Sequence, residues 1–210
     1  MDEEVAEQQE SCECGGEESY TVSEVDALLD VTHFQQRRLF LRQGFDERLN
    51  RQIADKIRYY NIQDAEANVA VEDRDPIYVF CDSEGGDLLT GMYLADVIQN
   101  SDTPVVTVAE GLVASACTLV SVSGHIRLAH PSTVFLFHIG QMGAVGRSDN
   151  VFDTVAFYKR YINERMKKKY LDNTKITEEK YDELFKGEWY MSADEALEYG
   201  VIDEIVDYLV

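Results

Sequence analysis

An α/β fold, in which sheets are flanked by helices and the loops at strand ends carry the chemistry, is what these 210 residues predict. Three observations lead there. Continuous apolar runs of the buried-strand kind recur at residues 77–81 (IYVFC), 104–109 (PVVTVA) and 133–138 (TVFLFH). Helical stripes, with apolar residues every three to four positions, alternate with them. A chain with 45% apolar and 28% charged residues also suits one globular domain with a substantial core.

Taken in order, residues 1–36 read as an acidic N-terminal extension, disordered over 1–18 where Ser11 and Gly15-Gly16 lie among carboxylates. Within it Val22, Val25, Leu28 and Leu29 form a weak apolar pattern compatible with a short docking helix. The folded domain is expected over 37–210, beginning with a short strand at 38–42 (RLFLR). Leu49, Ile53, Ile57 and Tyr60 mark a helix, and the polar stretch 61–75 reads as a loop. After the 77–81 strand and a glycine turn, Leu88, Met92, Ala95 and Ile98 mark another helix. The 104–109 strand leads through Gly111 into an apolar helix at 115–122, followed by strands at 126–129 and 133–138. A long helix over 148–171 carries the stripe Val151, Val155, Tyr158, Ile162 and Met166. A shorter helix is expected at 177–185. Ser192 and Glu195 form a capping box for a helix that Gly200 closes, and 202–206 is the last strand.

The net charge of −21 is unevenly spread. Residues 1–35 hold 11 acids and no Lys or Arg, which leaves 29 acids against 19 bases, or −10, on the other 175. Such a surface repels nucleic acid and anionic membrane, so neither is an expected partner. No apolar run approaches the ~18 residues that span a bilayer. The acidic start resembles neither a signal nor a transit peptide. Cys12 and Cys14 have no matching second pair for zinc, and Cys81 and Cys117 sit in apolar segments. Reduced thiols and a cytoplasmic setting are the expectation.

Three segments carry candidate chemistry. Asp82-Ser83-Glu84-Gly85-Gly86 is a glycine turn between a strand and a helix, Ser115 stands where a strand meets a helix N-terminus, and His138 ends a strand. A helix start favours negative charge, which suits a serine whose attack creates an oxyanion. The N–H of Ala116 and one from the Gly85-Gly86 turn are the candidate donors to that oxyanion. A serine hydroxyl also needs a base within reach, and a strand-end histidine can supply one. Each feature has a plainer explanation: an N-cap serine, a packed histidine, an ordinary turn. His33, His125 and His130 have no comparable setting and read as structural.

Together these segments resemble the Clp protease proteolytic subunits. DSEGGDLLTGMYLADVI is similar to the family pattern NSPGGxxxxGxxIxDxM, and GLVASACTLVSVSG to GxAASMxxxLLxxG. LAHPSTVFLFHI resembles LPNSxxMIHQP, and MSADEALEYGVIDEI resembles SAxEAxxYGLxDxI. The resemblance spans about residues 37–207. It implies a ClpP/crotonase-like spiral of repeated β-β-α units with a protruding strand-helix handle at about 139–171. It places Ser115 on the catalytic serine and His138 on the catalytic histidine. It also puts the stretch 140–146, including Gly140 and Met142, beside an extended peptide, where main-chain bonding gives low sequence selectivity. A seven-membered homo-oligomeric ring, stacked in pairs as a tetradecamer, a hexameric AAA+ unfoldase and unfolded polypeptide substrates are implied as well. The peptidase itself would need no metal or nucleotide cofactor, ATP being used by the unfoldase.

The departures are specific. Glu188 stands where the family's catalytic Asp is expected, and Lys186 and Gly187 replace a pair that joins the two rings. Glu84 replaces a proline and Ala116 a methionine, the latter leaving its N–H in place. The rival readings are an inert ring subunit acting as scaffold, a crotonase-type acyl-CoA enzyme using the same pair of N–H groups, and a membrane-associated Ser–Lys peptidase. Asp172 and Asp182 are the runner-up acids.

Overall fold

The apolar runs build the centre of a seven-stranded, mostly parallel sheet. The computed structural model describes residues 11–12, 20–140, 145–184 and 186–207. It divides into two units, residues 1–38 and 39–210.

The first unit holds β1 (Ser11–Cys12) paired antiparallel with β2 (Tyr20–Thr21), and α1 (Val22–Gln35). The short helix that the apolar pattern of Val22, Val25, Leu28 and Leu29 allowed spans 22–35, whereas the stretch 1–18, expected to be disordered, lies outside the described residues apart from Ser11–Cys12. A capping box explains the start: Thr21 N–H donates to Glu24 at 2.8 Å, satisfying a group the helix cannot.

The second unit takes in β3 (Arg38–Leu41) from its second residue on, followed by α2 (Glu47–Glu66). Asp46 caps α2 by accepting the Leu49 N–H at 3.0 Å, and Leu49, Ile53, Ile57 and Tyr60 are buried as their spacing requires. The helix runs past Tyr60 into the stretch read as a loop, and residues 71–73 form a 3₁₀ turn. Tertiary bonds hold that polar extension: Asp64 is buried and accepts the Thr103 hydroxyl at 2.7 Å, while Asn61 accepts the Thr103 N–H at 3.0 Å.

Next come β4 (Ile77–Ser83), α3 (Leu88–Gln99), β5 (Val105–Ala114), α4 (Ala116–Ser121), β6 (Ile126–Ala129) and β7 (Val134–His138). β5 is longer than its apolar run suggested, because it bends without ending. Between Ala109 and Val113 it carries two residues more than β4 does between Cys81 and Ser83. Gly111 supplies the φ of 47° that the bulge requires, and Asp82 accepts the Leu112 N–H there at 3.0 Å. The bulge changes β5's partner: residues 106–109 pair with β6 and 112–114 with β7. The outer half of β5 is thereby aimed at the end of β7.

The single long helix expected over 148–171 is divided into α5 (Ser148–Phe157), a π-helical turn (Tyr158–Ile162) and α6 (Asn163–Asn173). Its stripe is split as well. Ile162 and Met166 are buried, but Val155 is exposed, as is its neighbour outside the stripe, Phe152. α7 (Glu178–Leu184), β8 (Glu188–Ser192), α8 (Ala193–Glu198) and β9 (Glu204–Ile205) complete the chain, with Ser192 and Glu195 forming the expected capping box and Gly200 at φ 64°. β8 was not expected as a strand. Half-exposed and polar at both ends, it gains its order from antiparallel pairing with β7. Arg127 fastens the C-terminal segment by bonding Asp203 and the Gly200 carbonyl. Among the described residues, no helix is long and apolar enough to cross a membrane.

Candidate active site

The site forms where β5, β7 and β8 end together. β5 and β7 run parallel with Ala114 opposite Leu136, and the last bond of the pair is Ser115 N–H to the Leu136 carbonyl at 2.9 Å. The chain then turns at once into α4. The turn forces Ser115 to φ 54° and ψ −124°, a left-handed conformation that costs a non-glycine residue about 1–3 kcal/mol. A comparably strained strand–serine–helix turn exposes the serine hydroxyl in α/β-hydrolases. The Ser115 side chain makes no capping bond to α4, so the plain N-cap explanation fails. Among the described residues the hydroxyl is unbonded and half-buried.

Two residues after Leu136, β7 ends at His138. Ser115 and His138 line one cavity of about 770 Å³. Gly86, Ala116 and Gly140 share that wall, and Leu119, Val155, Tyr158, Lys159, Met166 and Tyr170 are among the other lining residues, most of them from the helices after β7.

The two glycines of the turn have different places. Gly85 (φ 89°) packs against the serine: a Cβ there would lie 2.7 Å from the Ala114 carbonyl oxygen, 2.8 Å from Ala116 N and 2.9 Å from Ser115 Cβ. Its own N–H donates to Ser83 Oγ at 3.1 Å. Gly86 (φ 145°) abuts Phe45, whose backbone bonds Gly85 and Asp87 on either side of it. Among the described residues the Gly86 N–H is therefore left over, and the Ala116 N–H begins a helix and lacks an intrahelical acceptor. The geometry thus offers Gly86 and Ala116 as a pair of donors beside Ser115.

The candidate acid, Glu188, is placed by the β7–β8 ladder. His138 lies directly opposite Glu188. Opposed residues of an antiparallel pair share a face, with Cβ atoms about 4.5–5.5 Å apart. The Glu188 carboxylate is exposed and accepts the Tyr190 hydroxyl at 3.3 Å, and its charge pushes the Tyr190 phenol upward. Among the described residues no hydrogen bond joins Glu188 to His138, or His138 to Ser115.

The Clp protease family model matches residues 24–208. This chain belongs to the Clp protease family. It is 28% identical over 175 residues to the ATP-dependent Clp protease proteolytic subunit 2 of Pseudomonas aeruginosa, with 81% of each chain covered. It is 26% identical over 175 residues to the ATP-dependent Clp protease proteolytic subunit 2 of Prochlorococcus marinus, covering 82% of this chain and 84% of the relative. The α/β architecture with its mostly parallel sheet is that of the Clp family.

Within this Clp-type frame the other candidates fall into place. Asp182 is tied to Lys167 and Asp172 to Lys168, each at 2.7 Å, and neither side chain lines the cavity. Cys117 lies buried two residues beyond Ser115, and burial pushes its thiol well up, which keeps it protonated. His125 accepts the Val105 N–H through Nδ1 at 3.0 Å, a structural use. Met142, expected beside the substrate, lies outside the described residues, whereas Gly140 is on the cavity wall. The sequence reading missed Thr118 and Tyr170, which bond to each other beneath Ser115 at 2.6 Å. The i+3 spacing of Thr118 from Ser115 on α4 was a usable signal for the first; Tyr170 offered none.

Proposed function

We propose that this chain is a Clp-type serine endopeptidase subunit that cleaves unfolded polypeptide through an acyl-enzyme. One observation carries the reading: a strained, uncapped serine at a helix start shares a cavity with a strand-end histidine. In this mechanism Ser115 Oγ attacks the scissile carbonyl carbon while His138 takes its proton. The oxyanion is held by the N–H groups of Gly86 and Ala116. His138 then protonates the leaving amine, and water repeats the sequence to release the acyl group. Glu188 orients the imidazole from across the β7–β8 ladder and stabilises its positive charge.

The same reading includes assembly into rings of seven, single or stacked as a tetradecamer, in a cytoplasmic setting. An AAA+ unfoldase would feed the chamber and use the ATP, and the subunit would act without a metal or nucleotide cofactor of its own. A second reading, an inert ring subunit acting as scaffold, draws support from Glu188, which bonds Tyr190 and not the imidazole.

Labelling with a fluorophosphonate probe, followed by mapping of the modified residue, separates the two. Modification at Ser115, lost in Ser115→Ala and reduced in His138→Ala, is the expected result. Peptide cleavage should fall by several orders of magnitude, about 10³-fold or more, in both folded variants. An unlabelled wild-type protein would leave the scaffold reading in place.

A further inference from the structure

The carbonyl of Ser115 accepts two hydrogen bonds from one residue, the Thr118 N–H at 3.0 Å and the Thr118 hydroxyl at 2.6 Å. Thr118 Oγ1 lies in turn 2.6 Å from the hydroxyl of Tyr170 on α6. A threonine hydroxyl has a single hydrogen, and Ser115 receives it. Tyr170 must therefore be the donor to Thr118. The chain of bonds runs from the Tyr170 O–H to Thr118 Oγ1, and from the Thr118 O–H to the Ser115 carbonyl. Thr118 is wholly buried and Tyr170 only 2% exposed, so water does not compete. Phe137 meets the Tyr170 ring edge-on at 5.5 Å, and burial pushes the phenol upward, so it keeps its proton.

The Ser115 carbonyl and the Ala116 N–H belong to one planar trans peptide unit and point in opposite directions. Holding the carbonyl down toward Thr118 turns the Ala116 N–H up toward the cavity. It also holds ψ of Ser115 at −124°, the torsion that sets that peptide plane.

We propose that Thr118 and Tyr170 are positioning residues that lock the Ser115–Ala116 peptide plane and so aim the Ala116 N–H at the oxyanion. Tyr170 stands on α6, which continues the π-helical turn, so the lock ties the alignment of the oxyanion donor to the helix that walls the cavity. The inference rests on the reading of Ser115 as nucleophile.

Steady-state peptide cleavage and the rate of fluorophosphonate labelling, measured on full-length Thr118→Val, Thr118→Ser, Tyr170→Phe and the Thr118→Val/Tyr170→Phe double variant, test it. A misaimed oxyanion donor should act on kcat and spare KM: about 10- to 100-fold lower kcat for Thr118→Val, with KM within about twofold. Thr118→Ser keeps the hydroxyl and should stay within about threefold of wild type. Tyr170→Phe should lose about three- to tenfold, and the double variant should be no slower than Thr118→Val, because the lock acts only through Thr118. Three results overturn the lock: a folded Thr118→Val with unchanged kcat, a Thr118→Ser as slow as Thr118→Val, or losses that multiply in the double variant. Wild-type labelling at Ser115 keeps the two ideas apart. If it is absent, the nucleophile reading fails and takes the lock with it; if it is present and unaltered in the variants, only the lock fails.

Discussion

His138 and Glu188 face each other across the β7–β8 ladder, at its last register position. β8 carries Glu188 at its first residue and β7 carries His138 at its last, so the pairing that makes β8 a strand also sets this carboxylate opposite the histidine. Glu188→Gln keeps the shape and removes the charge. It should lower kcat by about 10²- to 10⁴-fold, with Glu188→Asp milder. Cleavage at the wild-type rate in Glu188→Gln, alongside loss in Asp172→Asn or Asp182→Asn, would move the acid elsewhere.

Gly85 should tolerate no side chain. An alanine Cβ would meet three atoms of residues 114–116 within 3 Å, at a φ of 89° that disfavours it. Gly85→Ala should lower stability by about 1–3 kcal/mol from the backbone alone and reduce labelling of Ser115. Among the described residues no atom lies within 4 Å of the corresponding position at Gly140, so Gly140→Ala should melt with wild type. Calorimetry on both variants is the check, and equal melting temperatures would refute the close approach.

α5 presents Phe152 at 72% exposure, together with Val155 and Phe157. Apolar surface of this kind on a helix is the sort that another subunit covers. Light scattering should give about seven or fourteen copies, and Phe152→Glu with Val155→Glu should yield smaller species. A wild-type monomer at micromolar concentration would exclude the assembly. Lys186 and Gly187 make a single ring the outcome of most interest.

The Arg127–Asp203 clasp should show itself in acid. Burial alone raises the Asp203 carboxyl, but its hydrogen bonds from Arg127 and the charge of Arg127 outweigh that, and the group sits below its ordinary value. A carboxylate depressed on folding stabilises the protein above the unfolded value of about 3.9, and that contribution is lost as pH falls through the folded value. Asp203→Asn should therefore melt below wild type at pH 7, with the gap closing below about pH 4. A gap that stays constant down to pH 2 would show that the clasp is not electrostatic.

Local patterns were enough for much of this protein. The apolar runs at 77–81 and 133–138, the stripe from Leu49 to Tyr60 and the Ser192–Glu195 capping box each encode their element through neighbours a few residues away, and the structure has all four. The family was legible for the same reason: the segments around Gly85, Ser115, His138 and Ser192 are contiguous words. What the chain does with long-range partners was not legible. Residues 61–66 look like a loop until Thr103, some 40 positions away, bonds Asn61 and Asp64. β8 looks like a polar connection until β7 supplies its ladder. The bulge at Gly111 hands β5 from β6 to β7, and so decides that Ser115 meets β7 at all. Likewise a helical stripe does not say where it will be interrupted, and the π-helical turn at 158–162 leaves Val155 exposed while Ile162 is buried. Sequence by itself determined most element types and the candidate residues, because propensity, capping and periodicity act over a turn or two of chain. Tertiary structure alone decided that Gly86 and not Gly85 has its N–H left over among the described residues, that Glu188 stands opposite His138, and that Tyr170 reaches Thr118, because each depends on bonds between segments that sequence order keeps far apart.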